Sequence, residues 1–223
     1  AYSVSASNSS NGEGTTIANG GRIGKKVSIG QNCQIRDKVV IHDNAILGND
    51  VILDSGAVIG ARPYSPIKNK GKWELCDSVG RVIIADGVDI GANSTIDTGV
   101  YGDTCLSTGV KIDDLVQIAH DVIIGEHTAV IGGSAIGAVC TIGAHCMIGG
   151  CSSVAGHLSI TNDVVITGRT TVTRSLNKPG IYSSGTFAEP HQQWRKNAVN
   201  FRRLDKNIKK LKYLIKEVED LKK

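Results

Sequence analysis

Apolar residues return at every sixth position along most of this 223-residue chain. Ile17, Ile23, Ile29, Ile35, Ile41, Leu47, Leu53 and Ile59 open the series, and Ile84, Ile90 and Ile96 resume it. Twelve further anchors run from Leu106 to Val172. A period of six fits neither a helical face nor an alternating strand; it predicts a hexapeptide β-helix. Two positions before each anchor stands a small or β-branched residue, such as Val27, Cys33, Val39, Val110, Val116 and Ser134. Such residues suit short strands whose alternate side chains fill a narrow interior. Gly often follows the anchor and Asn or Asp often comes next, as in Gly-Gln-Asn (30–32), Gly-Asn-Asp (48–50) and Gly-Ala-Asn (91–93), residues that tolerate the positive φ a tight corner demands. Three hexads make one triangular coil, so the anchors predict about seven or eight coils stacked roughly 4.8 Å apart. Each coil buries its aliphatic column only against its neighbours. A prism of this kind has no interior cavity, so function is expected on its outside or between copies of it.

The beat breaks twice. Residues 61–82 read as an ejected insertion loop and 97–105 as a shorter one, and loops on a rigid repeat are where binding residues concentrate. The prism itself is assigned to 15–175. Residues 1–14 are Ser-rich and read as a flexible lead-in, a cloning remnant or the stub of a cleaved transit peptide. After Val172, Pro179-Gly180 and Pro190 mark a turn-rich connector over 176–190. From 191 to 223 the apolar spacing switches to Leu204, Ile208, Leu211, Ile215 and Val218, a heptad seam that Leu214 and Leu221 widen. Three copies of such a helix would close a short bundle, which suits a homotrimer.

Composition narrows the function classes. Aromatics are only 4% of the chain, as expected of an interior too thin for rings. No apolar run is long enough for a transmembrane segment. Of six cysteines, Cys33, Cys140 and Cys146 fall on the inward series, so buried free thiols in a reducing compartment are the reading preferred to disulfides. From Trp194 onward eleven basic and four acidic residues give +7, against +4 for the whole chain, which leaves about −3 for the rest. That tail is either a solvated helix or a dock for an acidic or phosphate-bearing partner. Nucleic acid is not expected, because no reading module or aromatic platform accompanies the charge.

Among six histidines, His42, His127 and His145 fall at or near corners. His120 stands apart because Asp113 precedes it by seven residues, near a neighbouring corner of the same coil. A carboxylate near an imidazole fixes its tautomer and raises its basicity, the arrangement of a general base. His157 falls about two coils further on, on nearly the same side, roughly 10 Å from His120. No three histidines are spaced to hold a metal, and no Ser or Cys nucleophile has an evident base.

The run Asp113-Asp114-Leu115-Val116-Gln117-Ile118-Ala119-His120-Asp121 closely resembles a signature of the bacterial UDP-3-O-acylglucosamine N-acyltransferases. So do CysMetIleGlyGly (146–150), AlaGlyHisLeuSerIle (155–160), ProGlyIleTyrSerSerGly (179–185) and GlnTrpArgLysAsnAla (193–198). The resemblance covers most of the chain, from about Ile17 to Leu204. It implies an all-β solenoid, a left-handed parallel β-helix of hexapeptide repeats with a C-terminal α-helical tail, assembled as a homotrimer. It further implies transfer of a 3-hydroxyacyl group from acyl carrier protein to the 2-amine of a nucleotide-sugar lipid precursor in lipid A synthesis. No cofactor is bound; the phosphopantetheine arm of the carrier protein presents the donor.

Carried over residue by residue, His120 is the base and Asp113 its orienting group. His157, Gln117, a backbone amide at Ala138 and Arg174 handle donor and substrate, and Arg195, Lys196, Arg202 and Arg203 dock the carrier protein. The resemblance implies a soluble intracellular protein, cytoplasmic if bacterial and in the mitochondrial matrix if organellar. The family normally carries an N-terminal domain of about 100 residues that grips the uridine; here the prism begins almost at once, which reads either as a cut chain or as a natural short form. GlyAlaArgProTyrSerPro (60–66) stands where the family has a GlyAlaAspGlyPheGly-type stretch. Asp114 and Asp121 replace usual asparagines, and Thr170-Thr171 replaces apolar residues of the acyl tunnel. Two other readings remain: a CoA-dependent sugar N- or O-acyltransferase of the same fold, and a non-catalytic trimeric scaffold.

Overall fold

In the computed structural model, which describes residues 4–5, 8–186 and 188–221, the chain divides into two units, 1–185 and 186–223. The first is a left-handed parallel β-helix of about 10 turns. Its three faces carry nine, eight and nine strands, most of them two residues long. Strands pair in register from coil to coil, as Gln117 with Thr95 below and with Ala135 above. Every anchor from Ile23 to Val172 is buried, and Ile17 packs partly buried against the same column.

The solenoid is longer than its anchors indicate. Val4–Ser5 pairs with Arg22 and Ile23, and Ser10–Asn11 pairs with Ser28 and Ile29, so part of the expected flexible lead-in is built into the first coil. Residues 1–3 and 6–7 of that lead-in lie outside the described residues. At the other end, Gly180–Tyr182 pairs with Val164–Ile166 and Leu176 bridges Ile160, so the expected connector continues the prism. Leu176 and Tyr182, stacked on Ile160 and Ile166, extend the apolar column out of phase with the earlier anchors, whereas Ser10–Asn11 joins by backbone pairing. Residue 187 of the connector and 222–223 of the tail are likewise outside the described residues.

The corners agree with the sequence expectation for Asn and Asp, where Asn32, Asp50 and Asn93 have positive φ, and differ for most of the glycines. Positive φ falls three residues after the anchor, at Asn32 (55°), Lys38 (58°), Asn44 (65°) and even Val139 (59°). The glycine directly after the anchor answers a different demand, close approach between coils. A Cβ on Gly137 would lie 2.5 Å from the Gly156 nitrogen, and one on Gly149 2.5 Å from that of Gly168. Inward hydroxyls replace aliphatics where they can reach backbone: Thr128 Oγ1 donates to the Gly143 carbonyl (2.7 Å) and accepts from the Cys146 N–H (3.0 Å). Such pairing removes the cost of burying a polar group.

The long insertion is an ordered antiparallel hairpin, Pro66–Asn69 against Lys72–Leu75. Its turn residues Lys70 and Gly71 both have positive φ (45° and 82°), as a two-residue hairpin loop requires. Tyr64 and Trp73 are exposed on it, with Lys68 Nζ 6.0 Å from the Trp73 ring.

The second unit is two helices, α1 (His191–Arg202) and α2 (Leu204–Leu221). Neither contains a buried residue, so the stripe Leu204, Ile208, Leu211, Ile215 and Val218 is exposed. Among the described residues no helix is long and apolar enough to cross a membrane.

Candidate active site

His120 sits at the corner after the strand Gln117–Ile118, on the nine-stranded face that begins at Val4–Ser5. It is 5% exposed, unusual for a corner residue of a solenoid. The burial comes from the short loop between Thr95–Asp97 and Thr104–Leu106, which folds over this corner and sets the Tyr101 ring edge-on to the imidazole, centroids 6.3 Å apart.

Asp121 holds the arrangement together. Its Oδ2 lies 2.6 Å from His120 Nδ1 and accepts from the Val100 N–H (3.2 Å). Its Oδ1 accepts from the N–H groups of Tyr101 (3.0 Å) and Gly102 (2.7 Å). Its own N–H donates to Thr104 Oγ1 (2.9 Å). Burial alone would raise this carboxyl, but the bonds from Gly102, His120, Val100 and Tyr101 outweigh it and hold Asp121 below the usual carboxylate range. A carboxylate fixed in its charged form keeps the proton of a neutral imidazole on Nδ1 and leaves Nε2 as the basic lone pair.

The expected partner, Asp113, is elsewhere. Its Oδ2 accepts from the Gly132 N–H (2.8 Å) and its carbonyl accepts from Ser94 Oγ (2.6 Å). Seven residues carry the chain round one corner to the next, so Asp113 and His120 belong to different edges of the prism. The carboxylate that lies against the His120 ring within this chain is that of Asp121, the residue directly after the histidine. Asp114 is also spent on backbone, taking the Ala92 N–H at 2.6 Å.

Gln117 is exposed on the same face and donates from Nε2 to Asp97 Oδ1 (3.1 Å). Asp97 is a site residue that the sequence reading missed. It is 9% exposed, and burial pushes its carboxyl up, with the Gln117 hydrogen bond and the charge of His120 acting against that rise. The available signal was its place at the start of the short loop, immediately after the anchor Ile96.

His120, Ala138, Gly156 and Arg174 are spaced eighteen apart, one per coil at one corner. The Val139 N–H donates to the His120 carbonyl (3.0 Å) and the His157 N–H to the Ala138 carbonyl (2.8 Å), which ties these coils in series. Ala138 and Gly156 make a floor of small residues between His120 and Arg174, about 14 Å long over three coil spacings. The Ala138 N–H takes no acceptor among the described residues and is half-buried. His157 is exposed two coils above His120. Arg174 is exposed on the rim of a cavity of about 340 Å³ with Thr171, Thr173, Ser183 and Ser184. His127 and His145 stack at another corner, centroids 5.6 Å apart.

In the second unit, Arg195 and Lys196 line an open groove of about 610 Å³ on α1, with Gln192, Val199 and Asn200. Arg202 borders a separate hollow with Trp194 and Phe201, and Arg203 lies exposed in the break between the helices.

Residues 26–61 match the family model for the bacterial transferase hexapeptide, six repeats. The chain is 49% identical over 162 residues to a UDP-3-O-acylglucosamine N-acyltransferase of Coxiella burnetii, a match covering 72% of this chain and 47% of that one. A second relative of that description, from Ectopseudomonas mendocina, is 50% identical over 163 residues, 73% of this chain and 46% of its own. The chain thus spans about half the length of the curated relatives it matches. Among solved structures, a Francisella novicida UDP-N-acetylglucosamine acyltransferase superposes with TM-score 0.76 at 22% identity, covering 88% of this chain and 71% of that one. A Bacteroides fragilis UDP-N-acetylglucosamine acyltransferase gives TM-score 0.72 at 25% identity, over 82% and 69%. The first of these structural likenesses shows the fold alone.

Proposed function

From the premise that this chain belongs, over its repeat region, to the UDP-3-O-acylglucosamine N-acyltransferase family, we propose that it transfers a 3-hydroxyacyl chain from acyl carrier protein to the 2-amine of a UDP-3-O-acylglucosamine in lipid A synthesis. The observation that carries the proposal is the buried pair of His120 and Asp121, 2.6 Å apart, under a loop the same carboxylate fastens. In this reading His120 Nε2 removes a proton from the amine as its nitrogen attacks the thioester carbonyl. The unpaired Ala138 N–H, on the coil above, donates to the oxyanion that develops. The C–S bond then breaks, and the imidazolium returns its proton to the departing thiolate. Asp121 stays ionised throughout and stabilises the imidazolium.

The strip of small residues from Ala138 to Arg174 supports a linear donor lying along the prism axis, with His157 and Arg174 beside it. Phosphopantetheine bears the thioester, and no other cofactor enters. The basic residues Arg195, Lys196, Arg202 and Arg203 suit an acidic carrier protein. The exposed heptad stripe of α2, widened by Leu214 and Leu221, supports a homotrimer. Light scattering on Ile208→Lys with Ile215→Lys should then show loss of assembly.

The test is acyl transfer from 3-hydroxyacyl carrier protein to UDP-3-O-acylglucosamine by wild type and His120→Ala. A fall of about 10²–10⁴ in kcat with unchanged melting supports the base role. Wild-type rates in a folded His120→Ala would overturn it. Competition between acyl-CoA and the carrier-protein donor separates this reading from a CoA-dependent enzyme, and binding of carrier protein without turnover would leave only a scaffold.

A further inference from the structure

We propose that Asp97 makes this site selective for an amine acceptor, holding the second N–H of the attacking nitrogen while His120 takes the first. The inference rests on the acyl-transfer reading and deepens it at the same site. An amine nucleophile carries two hydrogens and needs two acceptors to be oriented; a hydroxyl carries one. In this proposal the two acceptors are His120 and Asp97, which flank the strand Gln117–Ile118 and the short loop over it.

Asp97 lies opposite a local distortion in the neighbouring strand. The strand Val58–Ala61 pairs Ile59 with Ile96 and Ala61 with Asp97, with Gly60, at φ 78°, inserted between them. Bulges of this kind turn a side chain away from the regular alternation. Asp97 Oδ1 accepts from Gln117 Nε2 at 3.1 Å, on the strand that leads directly into His120. Among the described residues, Oδ2 receives no hydrogen bond. The loop that starts at Asp97 then brings Tyr101 to the edge of the imidazole and its backbone onto Asp121. Asp97 is therefore fixed at one oxygen, has the other to offer, and lies near enough for the charge of His120 to act on it. A carboxylate that has lost most of its water gains most from a substrate N–H.

The chemistry balances without a further reactant. The nitrogen lone pair forms the C–N bond, the C–S bond breaks, and one proton passes from nitrogen through His120 to the thiolate. The second hydrogen remains on the nitrogen of the amide product, held by Asp97 throughout.

The experiment compares UDP-3-O-acylglucosamine with its 2-hydroxyl analogue, UDP-3-O-acylglucose, as acceptors for wild type and Asp97→Asn. Asp97→Asn should lower kcat/KM for the amine by about ten- to hundredfold more than for the hydroxyl acceptor, so the preference collapses. An unchanged amine-to-hydroxyl ratio in a folded variant overturns the inference while leaving the transferase reading intact. If Asp97→Asn does not fold, Asp97→Ser reads the same ratio with a smaller side chain. Wild type that acylates neither acceptor sinks the transferase reading, and this inference with it.

Discussion

Asp113-Asp114 and His120-Asp121 occupy consecutive corners of one coil, and both offer carboxylates to backbone N–H groups. At the first corner nothing is ejected over the turn. Asp113 and Asp114 therefore reach only the neighbouring coils, at Gly132 and Ala92, and remain exposed. At the second corner the short loop crosses above, and Asp121 gathers three of its N–H groups together with an imidazole. One residue type does structural work at one edge and site-building work at the next. The difference lies in what the chain places over the corner, since the repeat itself is the same.

The comparison breaks most readily at Asp121. Asp121→Ala should remove the orientation of His120 and the anchor of the loop at once, lowering kcat by about a hundredfold or more. If kcat survives while the variant melts normally, Asp121 is no more than another coil tie. Gly99→Ala attacks the same loop without touching a charge, because a Cβ there runs into the Gly102 carbonyl oxygen. It should reduce activity about tenfold or more through misplacement of the loop, and an inert Gly99→Ala would show that the loop is not part of the site.

Asp113→Ala should behave in the opposite manner. It removes a solvent-exposed acceptor of the Gly132 N–H, so stability should fall by no more than about 1 kcal/mol in denaturant titration while kcat stays within about twofold. Severe loss of activity at normal stability would return Asp113 to the site.

The smallest effect is in the pH dependence of stability. Asp121 is held below its unfolded value, so its contribution is complete above about pH 4 and is lost as pH falls through the lower folded value. Asp121→Asn lacks that contribution. The Tm gap between wild type and Asp121→Asn should therefore narrow below about pH 4. Asp113→Asn serves as the control, since its gap should stay the smaller of the two at neutral pH.

Much of the prism was legible because a period of six is a local property: each anchor answers only to the coils above and below. The sequence also marks both interruptions and the switch to helical spacing near His191. It underestimates the solenoid at both ends: Ser10–Asn11 joins by backbone pairing and leaves no apolar trace, and Leu176 and Tyr182 fall out of phase with the earlier anchors. It places positive φ correctly at corner residues such as Asn32, Asp50 and Asn93, but not at most glycines after an anchor, because Gly there signals close approach as readily as a left-handed turn. His120 was recognisable from its surrounding run, yet its partner was not, because Asp121 acquires its role from Val100, Tyr101 and Gly102 in another coil.

What the sequence determined by itself, then, is the repeat, its breaks and the place of the histidine, all encoded in spacing along the chain. Only the tertiary structure decided which carboxylate lies against that histidine and that Asp97 pairs with Gln117 on the strand leading to it. Those choices depend on which loop lands over which corner. Burial under that loop strips water from the carboxylates, and only then do their few hydrogen bonds settle what each of them does.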